Sequence, residues 1–368
     1  MKEHNTLTNV MKGALLSVVL LFSSCEHTGS VTSDTWDRSA MLAHQTEHFI
    51  LPAFASYNAA ANNLQSAASE FNAEMTVDRL ETLRAALTEA YSALQWVSFL
   101  EVGPSESLAL RYRSNTYPAD TAAILATALG FDGTNAPNFE LPSTYDQQGL
   151  PALDFMVHRL SLEDFLEKPE CAEYVDVLAN ELAQMATAAQ DEWTATAATF
   201  MADAGASAGA STNKLANDFI YHMEKELRAG KVGIPAGVFS AATFPGKVES
   251  VYGARSKQLF LESLKAHHMF FTGVAFDSLS VGPSFAGYLD HLEIKDGTTL
   301  LSDKITASFE QARSLAHPLH EDFAQQITDD SLKMLELFDA LQRGVILMKV
   351  DMMQAMNIKM DYVDADGD

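Results

Sequence analysis

Apolar residues recur at steps of three and four through most of the chain, the spacing that places them on one face of an α-helix. This spacing predicts helices over 35–71, with a kink at Pro52, and over 77–94. Further helices are predicted over 119–129, from Pro151 onward, and over 172–201, 215–227, 255–272, 302–317 and 329–356. Alternating strands are nearly absent, apart from a short piece at 292–294. The pattern therefore predicts an all-α protein, with irregular chain over most of 105–148.

A run of small residues divides the helical pattern into two parts. Residues 204–211 contain only Ala, Gly and Ser, which have little side chain to bury and are typical of a linker. We therefore predict two helical bundles, 35–203 and 212–368, joined at this run. The four residues Val102-Gly-Pro-Ser105 recur as Val281-Gly-Pro-Ser284, a weak hint of duplication.

The N-terminus has the features of a bacterial lipoprotein signal. Positive charge at Lys2 and Lys12 precedes or borders the apolar run 13–22, which is too short to span a bilayer. Ser23-Ser24-Cys25 then resembles a lipobox, although Phe22 stands where an aliphatic residue is usual. The sequence predicts a signal peptide over 1–24, lipid on Cys25 and a tether over 25–34, so that the protein is anchored to the cell envelope on its periplasmic or surface face. An uncleaved anchor helix is the alternative.

Charge and cysteine content narrow the class of protein. There are 24 Lys and Arg against 49 Asp and Glu, a formal net charge of −25. Nucleic-acid binding is excluded, because phosphate backbones are bound through clustered cations. A hydrophobic content of 47% indicates a globular chain. With Cys25 lipidated, Cys171 is the remaining cysteine, so that an intramolecular disulfide cannot form.

Four segments together carry a family resemblance. They are Phe99-Leu-Glu-Val-Gly-Pro-Ser105 with Arg113-Ser-Asn-Thr-Tyr-Pro118; Gly149-Leu-Pro-Ala-Leu-Asp154; Gly230-Lys-Val-Gly-Ile-Pro-Ala-Gly237; and Gly287-Tyr-Leu-Asp290 with the terminal Asp364-Ala-Asp-Gly-Asp368. In this order the chain resembles the imelysin-like family, also classed as peptidase family M75, over residues 35–368. The resemblance implies two helical bundles with a cleft between them, an envelope location and a role in bacterial iron uptake.

The functional motif of that family is Gly-x-His-x-x-Glu, and the matching segment here is Gly149-Leu-Pro151-Ala-Leu-Asp154. Pro151 removes the imidazole and Asp154 shortens the carboxylate, so the resemblance implies a retained site with altered chemistry, and peptidase activity is not expected. A structural interpretation is also open, in which Pro151 begins a helix and Asp154 favours its positive end.

The resemblance implies that further polar residues of these segments line the cleft. They are Ser105, Arg113, Asn115 and Lys231, with Gly103, Pro104, Gly149 and Pro151 shaping the backbone. If the ligand is ferric iron, Asp154 is an expected ligand, whereas Arg113 and Lys231 suit an anionic chelate or a haem carboxylate. Alternatively, Arg113 and Lys231 pair with nearby acids.

Two alternatives to iron binding remain open. His44-Gln-Thr-Glu47-His48 matches the His-x-x-Glu-His pattern of zinc peptidases, in which two His bind zinc and Glu is the base. No third ligand is identifiable in the sequence. An M75-type metallopeptidase would need this substitute site. The other alternative is a module whose acidic surface docks on another envelope protein, such as an iron-uptake protein.

Overall fold

The computed structural model describes residues 35–362, and their N-terminal half is helical. The α-helices are α1 (Arg38–Gln45), α2 (Leu51–Ala73), α3 (Val77–Leu94), α4 (Pro104–Leu108), α5 (Leu110–Asn115), α6 (Thr121–Leu129), α7 (Gly149–Arg159), α8 (Leu162–Glu167) and α9 (Glu170–Ala202). A π-helical turn, Thr46–Ile50, joins α1 to α2, and a 3₁₀ turn, Pro142–Gln147, precedes α7.

The C-terminal half is also helical, with one small hairpin. Its α-helices are α10 (Ser211–Tyr221), α11 (Ser256–Thr272), α12 (Phe285–His291), α13 (Leu301–Ala316), α14 (Phe323–Ile346) and α15 (Met353–Ala355). The π-helices His222–Gly233 and Leu347–Met352 continue α10 and α14, and a 3₁₀ turn covers Pro245–Lys247. The strands β1 (Lys295–Asp296) and β2 (Thr299–Leu300) pair antiparallel.

The predicted helical class is confirmed, and several boundaries differ for local reasons. Pro52 lies in the first turn of α2, directly after the π-helical turn, where its missing N–H is not needed. Helix α14 begins at Phe323, where the Asp322 side chain accepts the Ala324 N–H, and it is interrupted at Asp330 (φ −156°, ψ 85°), next to the predicted start at 329. The segment expected to be irregular contains α4 and α5, and the predicted strand 292–294 lies just before the observed hairpin.

The hydrophobic core is one continuous cluster that includes residues from both sides of the predicted linker. Phe99, after α3, packs edge-on against Phe219 of α10 and Phe270 of α11, with centroids 6.0 and 5.3 Å apart. Residues 203–210 form a loop, and Ala210 at its end is fully buried. The division into two bundles, the cleft and the duplication therefore stay predictions.

Helix α7 contains Gly149, Pro151 and Asp154 and therefore positions the candidate site. This helix packs against α3, α5 and α9, and all its residues from Gly149 to Val157 are buried. No helix among residues 35–362 is both long and apolar enough to cross a membrane. The predicted signal peptide, Cys25, the tether and the terminal acidic run lie outside the described residues.

Candidate ligand site

Gly149 fixes the start of α7 against the end of α5. Its φ is +70°, and a Cβ there would lie 2.5 Å from the carbonyl oxygens of Arg113 and Ser114. Only glycine fits such an approach and such a dihedral angle. Pro151 is buried in the first turn that follows. Gly149 and Pro151 thus shape the backbone at this helix start, and their role in a ligand site stays a prediction.

Asp154 is a buried carboxylate held by hydrogen bonds. Its side chain is 2% exposed and accepts the Ser250 hydroxyl at 3.2 Å and the backbone N–H groups of Tyr252 and Gly253, both at 3.0 Å. A Cβ at Gly253 would lie 2.7 Å from the carboxylate, so glycine is needed there. Ser250 adopts a left-handed φ of 49°, in the turn that aims these donors.

The Asp154 charge has no cationic partner among the described residues. The nearest basic group is His158, whose Nε2 lies 3.8 Å from Oδ1, and burial lowers the pKa of His158 to about 4, so it is neutral at pH 7. Burial raises the pKa of Asp154 to about 6. Asp154 is the sixth residue of α7, beyond the first turn, which argues against the helix-end interpretation.

Two other predicted residues meet at Glu249, which sequence reasoning missed. Glu249 is 1% exposed, and its Oε1 accepts the side-chain amides of Asn115 at 2.7 Å and Gln95 at 3.0 Å. Lys231 forms a buried ion pair with its Oε2. The ion-pair interpretation therefore holds for Lys231. Because Glu249 precedes Ser250, this cluster adjoins Asp154.

Two tyrosines with buried hydroxyls share a small cavity with Asp154. Tyr91 and Tyr117 line a cavity of about 30 Å³ together with Asp154, Pro151 and Ser250, and we call this cavity the tyrosine pocket. Neither hydroxyl has a hydrogen-bond partner among the described residues, and both are buried. Burial, with the nearby carboxylates, raises the pKa of each phenol well above 10. A buried polar atom without a partner points to a ligand, an ion or a water.

A larger cavity adjoins the tyrosine pocket. It measures about 350 Å³ and shares Tyr117 and Pro118 with the pocket. Its cationic residues are Lys225, which pairs with Glu224 at 2.8 Å, and Lys247, along with Arg111. Asn115 reaches this cavity as well.

The remaining predicted site residues line neither cavity. Ser105 is buried and accepts the Trp193 indole N–H at 2.9 Å. Arg113 pairs with Glu181 at 2.5 Å, as the ion-pair interpretation expected. Gly103, with φ of +56°, and Pro104 begin α4. These positions support the local fold, and the part that these residues play in a ligand site stays a prediction.

The zinc pattern, which begins near the end of α1 and continues into the π-helical turn Thr46–Ile50, does not form a metal site with the described residues. His44 Nε2 lies 2.8 Å from the carbonyl oxygen of Gly273, and Glu47 and His48 are exposed. Within 35–362, no three or more His, Cys, Asp or Glu side chains are grouped so that they could hold a metal ion. These residues therefore do not fit a catalytic zinc ion.

Comparison with known proteins identifies the fold and the family. No curated protein matches the chain. An imelysin-like protein from Psychrobacter arcticum 273-4 is 17% identical, with a TM-score of 0.68 over 88% of this chain and 97% of that one. A putative iron-regulated protein A precursor from Parabacteroides distasonis ATCC 8503 is 13% identical, with a TM-score of 0.68 over 85% of this chain and 94% of that one. At such identities the structures establish a shared fold. The sequence pattern of imelysin, peptidase family M75, matches residues 50–345, and the chain belongs to the imelysin family.

Proposed function

We propose that this imelysin-family protein binds iron, as Fe(III) or as an anionic Fe(III) complex, and serves bacterial iron uptake without catalysing a reaction. The observation that carries the proposal is the Asp154 carboxylate, which is buried in the lining of the tyrosine pocket without a cationic partner among the described residues. The name of the Parabacteroides distasonis neighbour, a putative iron-regulated protein, supports the same role.

The chemistry of the pocket favours a hard cation. Buried charges in proteins are paired or coordinate metals, and Asp154 has no paired cation among the described residues. Carboxylate and phenol oxygens are hard ligands, which suit Fe(III) better than a soft metal. The neighbouring cavity contains Lys247, whose charge favours the carboxylates of a chelate, while its other lysine, Lys225, pairs with Glu224.

Catalysis is not part of the proposal. A hydrolytic metal centre needs a protein ligand set with one open position and a base. Pro151 stands where the family motif has its His, and the His44 pattern lacks a third ligand among the described residues. The protein would thus capture its ligand and pass it on.

We propose that the protein performs this capture at the cell envelope, held by lipid on Cys25. Metabolic labelling with a radioactive fatty acid should label the wild-type protein in its native bacterium. The Cys25→Ser variant should remain unlabelled and unprocessed. Label in the variant, or none in either protein, would contradict the lipid anchor while leaving the iron site untouched.

Ligand titration tests the iron proposal directly. We would titrate Fe(III)-citrate, Fe(II), Zn(II) and haem into the full chain in detergent by calorimetry, and measure bound metal after dialysis. Fe(III) should bind, and Asp154→Ala should weaken binding at least tenfold because the anionic ligand is lost. Asp339→Ala, which removes an exposed carboxylate of α14, is the matched control and should bind as the wild type does.

Other outcomes would assign another function. Zinc that binds tightly and survives Asp154→Ala would point to His44 and His48 and support a metallopeptidase. Haem binding that is indifferent to Asp154 would move the site to the larger cavity. No binding of any ligand would refute the iron proposal and favour the docking module.

A further inference from the structure

We infer that the larger cavity binds an organic cation, a small molecule whose primary ammonium group is held by Glu226 and Tyr117. This site is separate from the iron site at Asp154, and the inference goes beyond the proposed function. Glu226 lies four residues before the family segment that begins at Gly230, so the resemblance does not point to it.

Gly230 brings the two oxygen groups of this site together. Glu226 and Gly230 belong to the π-helix His222–Gly233, Tyr117 follows α5, and all three residues line the larger cavity. A Cβ at Gly230 would lie 3.4 Å from the Tyr117 hydroxyl and 3.6 Å from Glu226 Oε2, so both oxygen atoms are within reach of one small ligand group. Glycine leaves this space free of a side chain, which permits a ligand to approach the backbone closely.

The Glu226 carboxylate is without a hydrogen bond or an ion pair among the described residues. Arg111 acts on its charge but is paired with Asp218 at 2.6 Å. Lys231 acts on it as well and is paired with Glu249. Burial raises the pKa of Glu226 in spite of these two cations. A cation that binds to this carboxylate would therefore stabilise a charge that the fold leaves unpaired.

The polar atoms beside Glu226 also lack a partner. The Tyr117 hydroxyl is buried and has none among the described residues. Asn115 lines the same cavity, and its Oδ1 is likewise buried without a partner, while its amide nitrogen donates to Glu249. Oxygen atoms of this kind suit a ligand group that only donates. An ammonium group has three N–H donors, no acceptor and a positive charge.

An organic cation fits the larger cavity better than a metal ion. Among residues 35–362, no three or more His, Cys, Asp or Glu side chains are grouped so that they could hold a metal. The volume of about 350 Å³ falls in the range of pockets for small organic ligands, roughly 300–1,000 Å³. Pro118 and Ile234 add apolar wall, and Lys247 adds a positive charge that suits a carboxylate. The ligand class is therefore an amino acid or the N-terminus of a short peptide, which share the ammonium group.

The test is a calorimetric titration of leucinamide into the full chain in detergent, without iron. Leucinamide carries the ammonium group of a peptide N-terminus and an apolar side chain. We expect one molecule to bind per chain. The matched probe 4-methylpentanamide has the same skeleton without the ammonium group, and its affinity should be lower by about tenfold or more.

Three variants locate the site. Glu226→Gln removes the charge at equal size and should weaken leucinamide binding by about tenfold or more. Tyr117→Phe should weaken it by about two- to tenfold, because one neutral hydrogen bond is lost. Glu336→Gln, the same change at an exposed residue of α14, is the matched control and should bind as the wild type does.

Gly230→Ala removes no group and tests the space itself. Its methyl group would cover both oxygen atoms and should abolish leucinamide binding. The protein should stay folded, because the nearest atom, the Lys225 carbonyl oxygen, is 3.3 Å from the added Cβ and alanine favours a helix. Circular dichroism checks the fold of each variant.

L-leucine distinguishes the two sources of the ammonium group. Tighter binding than leucinamide would identify a free amino acid with its carboxylate near Lys247, and weaker binding would identify a peptide N-terminus. Equal affinity for leucinamide and 4-methylpentanamide, or an unchanged affinity in Glu226→Gln, would overturn the ammonium site. Absence of leucinamide binding would also overturn it and leave the iron proposal standing, since no iron is present in this titration.

Discussion

Two of the polar clusters in the interior of this protein differ in how completely their groups are hydrogen-bonded. The tyrosine pocket contains two buried hydroxyls without a partner, and a carboxylate without a cation, among the described residues. The second cluster, which we call the histidine chain, comprises the Ser98 hydroxyl, the rings of His222 and His267 and the backbone carbonyl of Ser263; the Ser263 hydroxyl is buried without a partner among the described residues and is not part of it. Within it, consecutive groups are joined from one end to the other.

The histidine chain has one consistent arrangement of protons. His267 Nδ1 donates to the carbonyl oxygen of Ser263 at 2.8 Å, because a carbonyl can only accept. Its Nε2 then accepts from His222 Nδ1 at 3.2 Å, and His222 Nε2 accepts the Ser98 hydroxyl at 3.0 Å. Burial lowers the pKa of both rings, that of His267 to about 3, so both are neutral.

This difference in hydrogen bonding indicates which cluster stabilises the fold and which one is suited to bind a ligand. A fully joined polar network in an apolar surrounding makes the core specific and leaves no group for a ligand. A network with buried polar groups that lack partners costs folding free energy, and a ligand that bonds to those groups can offset this cost on binding. We therefore expect the histidine chain to affect stability alone, and the tyrosine pocket to affect binding.

The largest effect is expected at the ion pair that borders the pocket. Lys231→Met leaves the buried Glu249 charge without its cation, and we expect the free energy of unfolding to fall by about 3–5 kcal/mol. Urea unfolding followed by circular dichroism measures this. The double variant Lys231→Met/Glu249→Gln removes the charge but keeps an acceptor for Asn115, and most of the loss should be recovered.

A loss below about 1 kcal/mol for Lys231→Met would contradict this assignment. It would mean that the Lys231 amino group can leave Glu249 at little cost in folding stability. The residue would then be available to a ligand, as the sequence resemblance implied.

A smaller effect is expected from the histidine chain. His267→Leu leaves the Nδ1–H of His222 without an acceptor in the core, which should cost about 1–3 kcal/mol in unfolding free energy. Iron affinity should stay within a factor of two of the wild type. A tenfold loss of iron affinity in a folded His267→Leu protein would refute the separation of the two clusters.

The pH dependence of the free energy of unfolding also tests the histidine chain. Burial lowers the pKa of His222 and His267 in the folded state, whereas a histidine in the unfolded chain has a pKa near 6.5. Below pH 6.5 the unfolded state therefore binds more protons than the folded state does. Stability should be fully present above pH 6.5 and be lost as the pH falls towards 3, by about 1 kcal/mol per pH unit for each ring.

Comparison with His222→Phe/His267→Phe isolates this contribution, because all carboxyl groups titrate in both proteins. Raised pKa values at Glu101 and Asp218 act in the opposite direction in each protein. Parallel profiles of stability against pH for the two proteins would show that the rings are not neutral when buried.

Sequence reasoning predicted the long helices and two residues that line the tyrosine pocket, Pro151 and Asp154. The three- and four-residue period identified the long helices because each buries one face. The short α4 and α5 were missed, since Gly103, Pro104 and a left-handed Ala109 interrupt any period there. Asp154, Asn115 and Lys231 were found through the family segments. Their common neighbourhood at residues 249–250 was not found, because Asp154 and Asn115 reach it through contacts 96 and 134 residues apart in sequence.

The sequence pattern gives Tyr91, Tyr117 and Glu249 other interpretations. Tyr91 fits the apolar stripe of α3, so the period alone classifies it as core, and Tyr117 lies in a segment noted for its other polar residues. Glu249 gave one usable signal, a carboxylate between Val248 and Val251. Nothing in periodicity tells a bonded hydroxyl from an unbonded one.

The smallest effect expected is also the sharpest distinction between the two kinds of cluster. Tyr57→Phe removes a hydroxyl that is bonded to Ser114, and unfolding free energy should fall by about 1 kcal/mol. Tyr91→Phe removes a hydroxyl without a partner, so stability of the iron-free protein should stay equal or rise. Thermal unfolding of both variants in parallel measures the sign. An equal loss in Tyr91→Phe would mean that a buried water already bonds to this hydroxyl. The pocket would then resemble the histidine chain, because its hydrogen bonds would be complete without iron and would contribute to folding stability.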